Sequence, residues 1–339
     1  MAFVLSGFGK RAMSTAAQGA VYSRHGHPGA VLSFQAVKIG EVKGDEVLVK
    51  MLAASLSPTD LGHIRGFGLD AAFPAVGGSE GVGIVEKAGP SASGIAVGDV
   101  VVPTRAGVGT WATHTVVPAD ALLKVGSSAD GLPLEHLAAL AAPATAIGLV
   151  DTFATLSKGD VIVQNCAAST VGQAVIQYAA SKGITTVNIL RQRDDWDDIV
   201  NHLQGLGAGL VVSDTFAQTP EFAKLLSDMS APKLGLSSVG GDAATAVARA
   251  LGAGATFVTY GNVSRHPLYI PLDTLISKDI TVRGFNLEAA DTNALVSQAA
   301  DLVTGGKLQL LLATEPFGDF DAALSRAQEP GERKVVLKM

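Results

Sequence analysis

Asp160-Val161-Ile162-Val163-Gln164-Asn165-Cys166-Ala167-Ala168-Ser169-Thr170-Val171-Gly172-Gln173-Ala174-Val175-Ile176-Gln177-Tyr178-Ala179-Ala180-Ser181-Lys182-Gly183-Ile184-Thr185-Thr186-Val187-Asn188-Ile189-Leu190-Arg191-Gln192-Arg193 is strand, tight loop, helix and strand in one run. The apolar run Val161-Ile162-Val163 is the first strand, and the small side chains from Cys166 to Gly172 let a backbone approach a pyrophosphate. A helix over Val171 to Lys182 aims its unpaired N–H groups and positive dipole end at that phosphate, and Gly183 stops it. Only Gly172 remains of the G-x-G-x-x-G fingerprint, so the strand and helix around the loop carry the reading.

The second strand, Thr185 to Leu190, brings the chain to the ribose, where an NAD site places a carboxylate on the 2′-hydroxyl. Arg191, Gln192 and Arg193 stand there instead, and two guanidinium groups suit the 2′-phosphate of NADPH. Asp194 and Asp195 read as first-turn and capping acids of the next helix, Asp195 to Leu206. Two alternatives stay open: the arginines are solvated strand-end charges, or Asp194 is the ribose acid displaced by a few residues.

Outward from this run, strand and helix alternate, which predicts a doubly wound parallel sheet with helices on both faces. Its six strands are Val161 to Gln164, Thr185 to Leu190, Leu210 to Ser213, Leu234 to Val239, Thr256 to Tyr260 and Ile280 to Gly284. Before it lie a helical, Ala-rich stretch from Leu134 to Phe153 and, from Val21 to about Leu140, short alternating strands with Gly/Pro turns that read as a barrel-like β domain. After it come a helix from Leu295, an apolar stretch at Leu308 to Leu312 and a terminal strand at Lys334 to Leu337, as if the nucleotide domain were inserted into the β domain. The expected class is α/β.

The 339 residues, 47% hydrophobic, suffice for two cores. A net charge of −6 argues against a nucleic-acid or membrane-surface partner, and no apolar run reaches spanning length. The first acidic residue is Glu41, and Lys10, Arg11 and Arg24 precede it among Ser, Ala and scattered apolar residues, the composition of a mitochondrial presequence removed somewhere in residues 12 to 24. The lone cysteine, Cys166, excludes a disulfide within the chain and reads as a small packing residue of the loop.

Ser57-Pro58-Thr59-Asp60, Pro74 to Gly81, Val97-Gly98-Asp99 and Val171-Gly172-Gln173-Ala174 together resemble the medium-chain dehydrogenase/reductase superfamily. Within it, the chain is similar to the mitochondrial trans-2-enoyl-thioester reductases. The residues carrying this are Ala106 to Trp111, Gln164-Asn165 with Val171 to Gln177, Arg191-Gln192-Arg193, Val258 to Gly261 and Lys278 to Phe285, within a match that runs from about Val21 to Met339.

The resemblance implies a presequence at 1–20, a GroES-like β-barrel-type catalytic domain at 21–145, a Rossmann NADPH-binding domain with a six-stranded sheet at 146–285, and a return to the catalytic domain at 286–339. It implies hydride delivery from NADPH to C3 of a 2,3-unsaturated acyl thioester on acyl carrier protein or coenzyme A, a proton at C2, a homodimer, and a place in the mitochondrial matrix. Carried over by position, Ser169, Thr170, Val171 and Gly172 would meet the phosphates and Arg191 and Arg193 the 2′-phosphate. Tyr260, Gly261, Asn262 and Val263, with Phe285, Asn286 and Leu287, would lie along the nicotinamide end, and Lys334 is a further basic cofactor contact.

Zinc-dependent relatives need a Cys before the Thr-Asp pair and a His in a Gly-His-Glu element, but Pro58 and Ser79 occupy those positions, so no metal site is expected. His63, His114 and His136 read as surface or turn residues. The chain departs from the reductase pattern at Phe67, where the family has a tyrosine whose hydroxyl helps protonate or orient substrate, and at Asn286, where it has a tryptophan. Ser57, Thr59 and Asn286 are the candidates for the missing hydrogen bond, with a turn or helix cap as the alternative for Ser57-Pro58-Thr59. A quinone or α,β-enal reductase using NADPH, or a nucleotide-binding pseudoenzyme, are the competing functions.

Overall fold

The computed structural model describes residues 17–69, 71–329 and 333–339. The alternation after residue 160 folds as expected, into a six-stranded all-parallel sheet of Val161–Asn165, Thr185–Leu190, Leu210–Ser213, Leu234–Ser237, Thr256–Thr259 and Thr281–Gly284. In space the third strand is at one edge, then the second, first, fourth, fifth and sixth, so the direction of winding reverses between Val161–Asn165 and Leu234–Ser237. A crevice opens at the C-terminal ends of the strands at such a reversal. Fully buried Ile162, Val163, Val187, Leu234 and Phe257 explain the near-continuous apolar strands, since helices cover both faces.

The remaining chain forms a seven-stranded sheet and a smaller three-stranded one. The hub is Glu46–Leu56, which pairs with Gly81–Ala88, His114–Pro118 and the C-terminal strand Lys334–Lys338. Because Lys334–Lys338 runs antiparallel to Ala53 to Leu56, the C-terminus returns to the first domain. A single hydrophobic core joins the halves, with Ala53, Val82 and Val336 from one and Ile162, Leu236 and Val258 from the other.

Several boundaries differ from expectation. The Leu308 to Leu312 stretch is mostly coil that buries Leu308 and Leu310, followed by a strand, Leu312–Pro316, beside the C-terminal strand, and by a helix, Phe320–Gln328; neither of these last two was foreseen. Pro316 ends that strand and two aromatic residues lie close by, so its local pattern is weak. The 145/146 boundary falls inside one helix, Ala141–Thr152. The presequence assigned to residues 1–20 lies outside the described residues up to 16. Ala17–Tyr22, by contrast, is a strand paired with Leu32–Val37, with Ala17 and Ala20 fully buried, so residues 17–20 belong to the fold.

Candidate active site

At the reversal point the loop after Val161–Asn165 turns on Cys166, which adopts φ +54°, and Ser169 N donates to Cys166 O at 2.9 Å. The helix that follows is Thr170–Ser181, capped by Ser169, whose Oγ accepts from Gly172 N at 3.1 Å. The amides of Thr170 and Val171 have no intrahelical acceptor within reach and are available to an anion. Gly172 is required by contact: a Cβ there would lie 2.6 Å from the Cα and O of Ala167. Without that approach the helix could not seat against the loop.

Buried amides hold the loop in place. Gln164 Nε2 donates to Gly172 O at 3.0 Å and to Asn188 Oδ1 at 2.8 Å. Asn165 Nδ2 donates to Ser237 Oγ at 2.8 Å, and its Oδ1 accepts from Ser238 N at 3.0 Å. These residues tie the first strand to its neighbours on both sides, a supporting role that sequence reading did not assign; the signal was polar side chains inside otherwise apolar strands.

Past the ends of the fourth and fifth strands, the hydroxyls of Ser238 and Tyr260 are buried close to each other, neither in full hydrogen-bond geometry with a protein group among the described residues. Burial, then the nearby Cys166, raises the Tyr260 hydroxyl well above its ordinary value, so it stays a neutral donor. Two buried hydroxyls beside a helix N-terminus fit a polar ligand lying across this crevice, as a dinucleotide does.

Arg191 and Gln192 are exposed at the end of the second strand, and Arg191 has no acidic partner among the described residues. Arg193 is bound to Asp195 through Nε and, at 2.8 Å, through NH2. Asp195 therefore does not cap the following helix, Trp196–Gly205, with its side chain, as had been expected. A bidentate guanidinium two residues away is the better partner for the carboxylate.

Lys334 is also occupied: its ammonium donates to Glu80 at 2.7 and 2.9 Å, with both side chains nearly buried. Placed as a cofactor contact by position, it instead neutralises a carboxylate within the catalytic domain. The Phe285 ring packs edge-on to Phe153, 5.8 Å between centroids, and against Gly148, so it belongs to the interdomain core rather than to an open cleft wall. Asn286 is exposed and caps the short turn Leu287–Ala289 by accepting from Glu288 N. Gly261, Asn262 and Val263 are exposed past the fifth strand, and Leu287 is half-buried against the core.

In the first domain, a cavity of about 370 Å³ is lined by Tyr22, Asp60, His63, Ser79 and the turns Gly77-Gly78 and Gly107 to Gly109. Trp111, fully buried, donates Nε1–H to Ser55 O at 2.9 Å and lies so close to Gly77 and Gly78 that a Cβ at either would enter the ring at 2.5 Å. The helix Pro58–Ile64 starts at Ser57, whose Oγ accepts from Asp60 N and donates to Asp60 Oδ2 at 2.8 Å. The cap alternative thus describes Ser57, and Thr59 is exposed on the same helix.

Ser79 Oγ donates to Asp60 Oδ1 at 2.6 Å and accepts from Gly107 N. Burial, and then Glu80, push the Asp60 carboxyl up to about 6 in spite of these hydrogen bonds. Phe67 is 64% exposed and is not among the residues that line the cavity. His63, expected at the surface, is 6% exposed and lines the cavity, because the helix buries that face; His114 is half-buried, 3.3 Å from Glu86. No group of three metal-ligating side chains occurs among the described residues.

A GroES-like first domain, a reversal-point crevice in a six-stranded nucleotide sheet, and Pro58 and Ser79 at the two zinc-ligand positions define a zinc-independent medium-chain dehydrogenase/reductase. Residues 43–127 match the family described as the alcohol dehydrogenase GroES-like domain. The chain is 40% identical over 340 residues to the mitochondrial enoyl-[acyl-carrier-protein] reductase of Xenopus tropicalis, covering 96% of each. It is 37% identical over 320 residues to that of Homo sapiens, covering 91% of this chain and 85% of the other. The chain belongs to the mitochondrial enoyl-[acyl-carrier-protein] reductase family.

Among solved structures, the Etr1p/NADP/crotonyl-CoA complex superposes with a TM-score of 0.86 at 26% identity, covering 96% of this chain and all of the other. The mitochondrial 2-enoyl thioester reductase Etr1p/Etr2p heterodimer of Candida tropicalis gives 0.85 at 26% identity over the same coverage.

Proposed function

We propose that this chain reduces trans-2-enoyl thioesters to saturated acyl thioesters with NADPH, in mitochondrial fatty-acid synthesis. The observation that carries this is the crevice at the strand reversal, where an open helix N-terminus and the buried hydroxyls of Ser238 and Tyr260 converge. NADPH, when bound there, supplies the hydride for C3. The backbone amides of Thr170 and Val171 hold the phosphates, with Ser169 and Gly172 shaping the loop around them, and Arg191, with Gln192 and Arg193 beside it, meets the 2′-phosphate. Tyr260, Gly261, Asn262 and Val263 border the nicotinamide end.

The thioester occupies the cavity of the first domain, lined by Tyr22, Asp60, His63 and Ser79.

A leader removed on import ends before Ala17, because that residue is already fully buried in a paired strand. The homodimer forms along the sixth strand, Thr281–Gly284, one of the two edges of the sheet, where Val282, Leu272 and Ile276 are exposed.

The experiment follows NADPH oxidation with trans-2-hexenoyl-CoA, with 9,10-phenanthrenequinone and with neither. Thioester turnover above quinone turnover supports the proposal. The reverse order would assign a quinone reductase, the reading that Phe67 favours by lacking a hydroxyl, and binding without oxidation would assign a pseudoenzyme.

A further inference from the structure

The reaction needs an acid at C2, and Phe67 cannot supply one: it has no titratable proton and its ring does not line the cavity. Resting on the reading above, we infer that His63 is the proton donor and that Glu288 positions and charges it. The imidazole lies on the cavity-facing side of Pro58–Ile64 with 8% of its side chain exposed. It packs against the very turn that carries Phe67, since a Cβ at Gly68 would lie 3.7 Å from its Nε2.

From the turn beyond the sixth nucleotide strand, Glu288 brings Oε1 to 4.0 Å from the same Nε2, a contact of charges rather than a hydrogen bond. Glu288 follows Asn286 on the turn beyond the sixth strand, so the pair lies next to both positions where the chain departs from its family. Its own carboxylate is 48% exposed and open to solvent protons.

After hydride reaches C3, the electron pair of the C2–C3 double bond resides on the thioester enolate. The imidazolium Nε2–H bond breaks, a C2–H bond forms, and neutral imidazole remains, to be recharged from solvent on the Glu288 side. Burial lowers the His63 pKa and Glu288 opposes that; an enolate arriving in the cavity acts in the same direction as Glu288. Asp60 and Tyr22 also face the cavity, and Arg65 follows on the same helix. Asp60 is the competing acid. It is fully buried and enclosed by the hydroxyls of Ser57 and Ser79, whereas His63 has no such enclosure.

The test uses the full chain. His63→Ala and His63→Gln are expected to lower kcat about 100-fold or more with NADPH affinity unchanged, the usual cost of one positioned acid. Added imidazole should recover turnover in His63→Ala, which a purely structural role would not allow, and the fall of wild-type kcat with rising pH should flatten in His63→Gln. Independently of turnover, Glu288→Gln should shift the NMR titration of the His63 imidazole in the ligand-free protein to lower pH.

His63 variants within threefold of wild type overturn the inference while leaving the reductase reading intact, and so does a loss confined to Asp60→Asn, which moves the proton to the Asp60–Ser79 pair. A wild-type chain that reduces no enoyl thioester removes both.

Discussion

Asp60→Asn should stabilise this protein at neutral pH and destabilise it in acid. In the folded chain the Asp60 carboxyl titrates at about 6 against 3.8 when unfolded, because it is buried and lies beside Glu80. A group whose folded value is raised favours the native state below its unfolded value and loses that benefit as pH climbs through the folded one. The window therefore runs from pH 3.8 to about 6. At ~1.4 kcal/mol per pH unit, the ionised carboxylate costs about 3 kcal/mol at pH 7.5.

Asparagine removes that charge but has one acceptor where the carboxylate has two. Ser57 and Ser79 both donate to Asp60, so one hydroxyl loses its acceptor, a loss of about 1 to 2 kcal/mol. The net expectation is a gain of about 1 to 2 kcal/mol at pH 7.5, or roughly 1 to 3 °C in Tm for a chain of 339 residues. Below pH 4 only the lost hydrogen bond remains and the sign reverses. Thermal unfolding followed by circular dichroism from pH 4 to 8 reads this directly. A difference between variant and wild type that is constant with pH refutes the reasoning, since the effect would then not come from the buried charge.

Cofactor choice rests on Arg191, the guanidinium with no acidic partner among the described residues. Arg191→Ala should raise KM for NADPH about 10- to 100-fold, the value of one charged hydrogen bond, and leave NADH unchanged; equal shifts for the two cofactors remove the 2′-phosphate assignment. Val282→Glu, placing a charge on the open edge of the nucleotide sheet, should convert a dimer to monomer in light scattering; an unchanged mass locates the contact elsewhere.

The six nucleotide strands were legible because each rule involved is local: apolar runs, a loop of small residues, a glycine that stops a helix. The same locality explains the misses. Leu312–Pro316 becomes a strand only by pairing with Lys334–Lys338, and the helix Phe320–Gln328 gains its place by packing Phe320 near Trp111. His63 has no local sign of burial, since its neighbours on the short helix are Gly62 and Ile64.

The sequence by itself determined the class of fold, the tight loop between the first nucleotide strand and its helix, and the absence of zinc ligands at the two expected positions, because these follow from residue type and spacing alone. Partnership was decided only by tertiary structure. Glu80 meets Lys334 across 254 residues, His63 meets Glu288 from the turn after the last nucleotide strand, and Arg193 turns to Asp195. A charged side chain pairs with whatever the packed backbone brings within a few ångströms, and that distance is a property of the folded chain rather than of any segment.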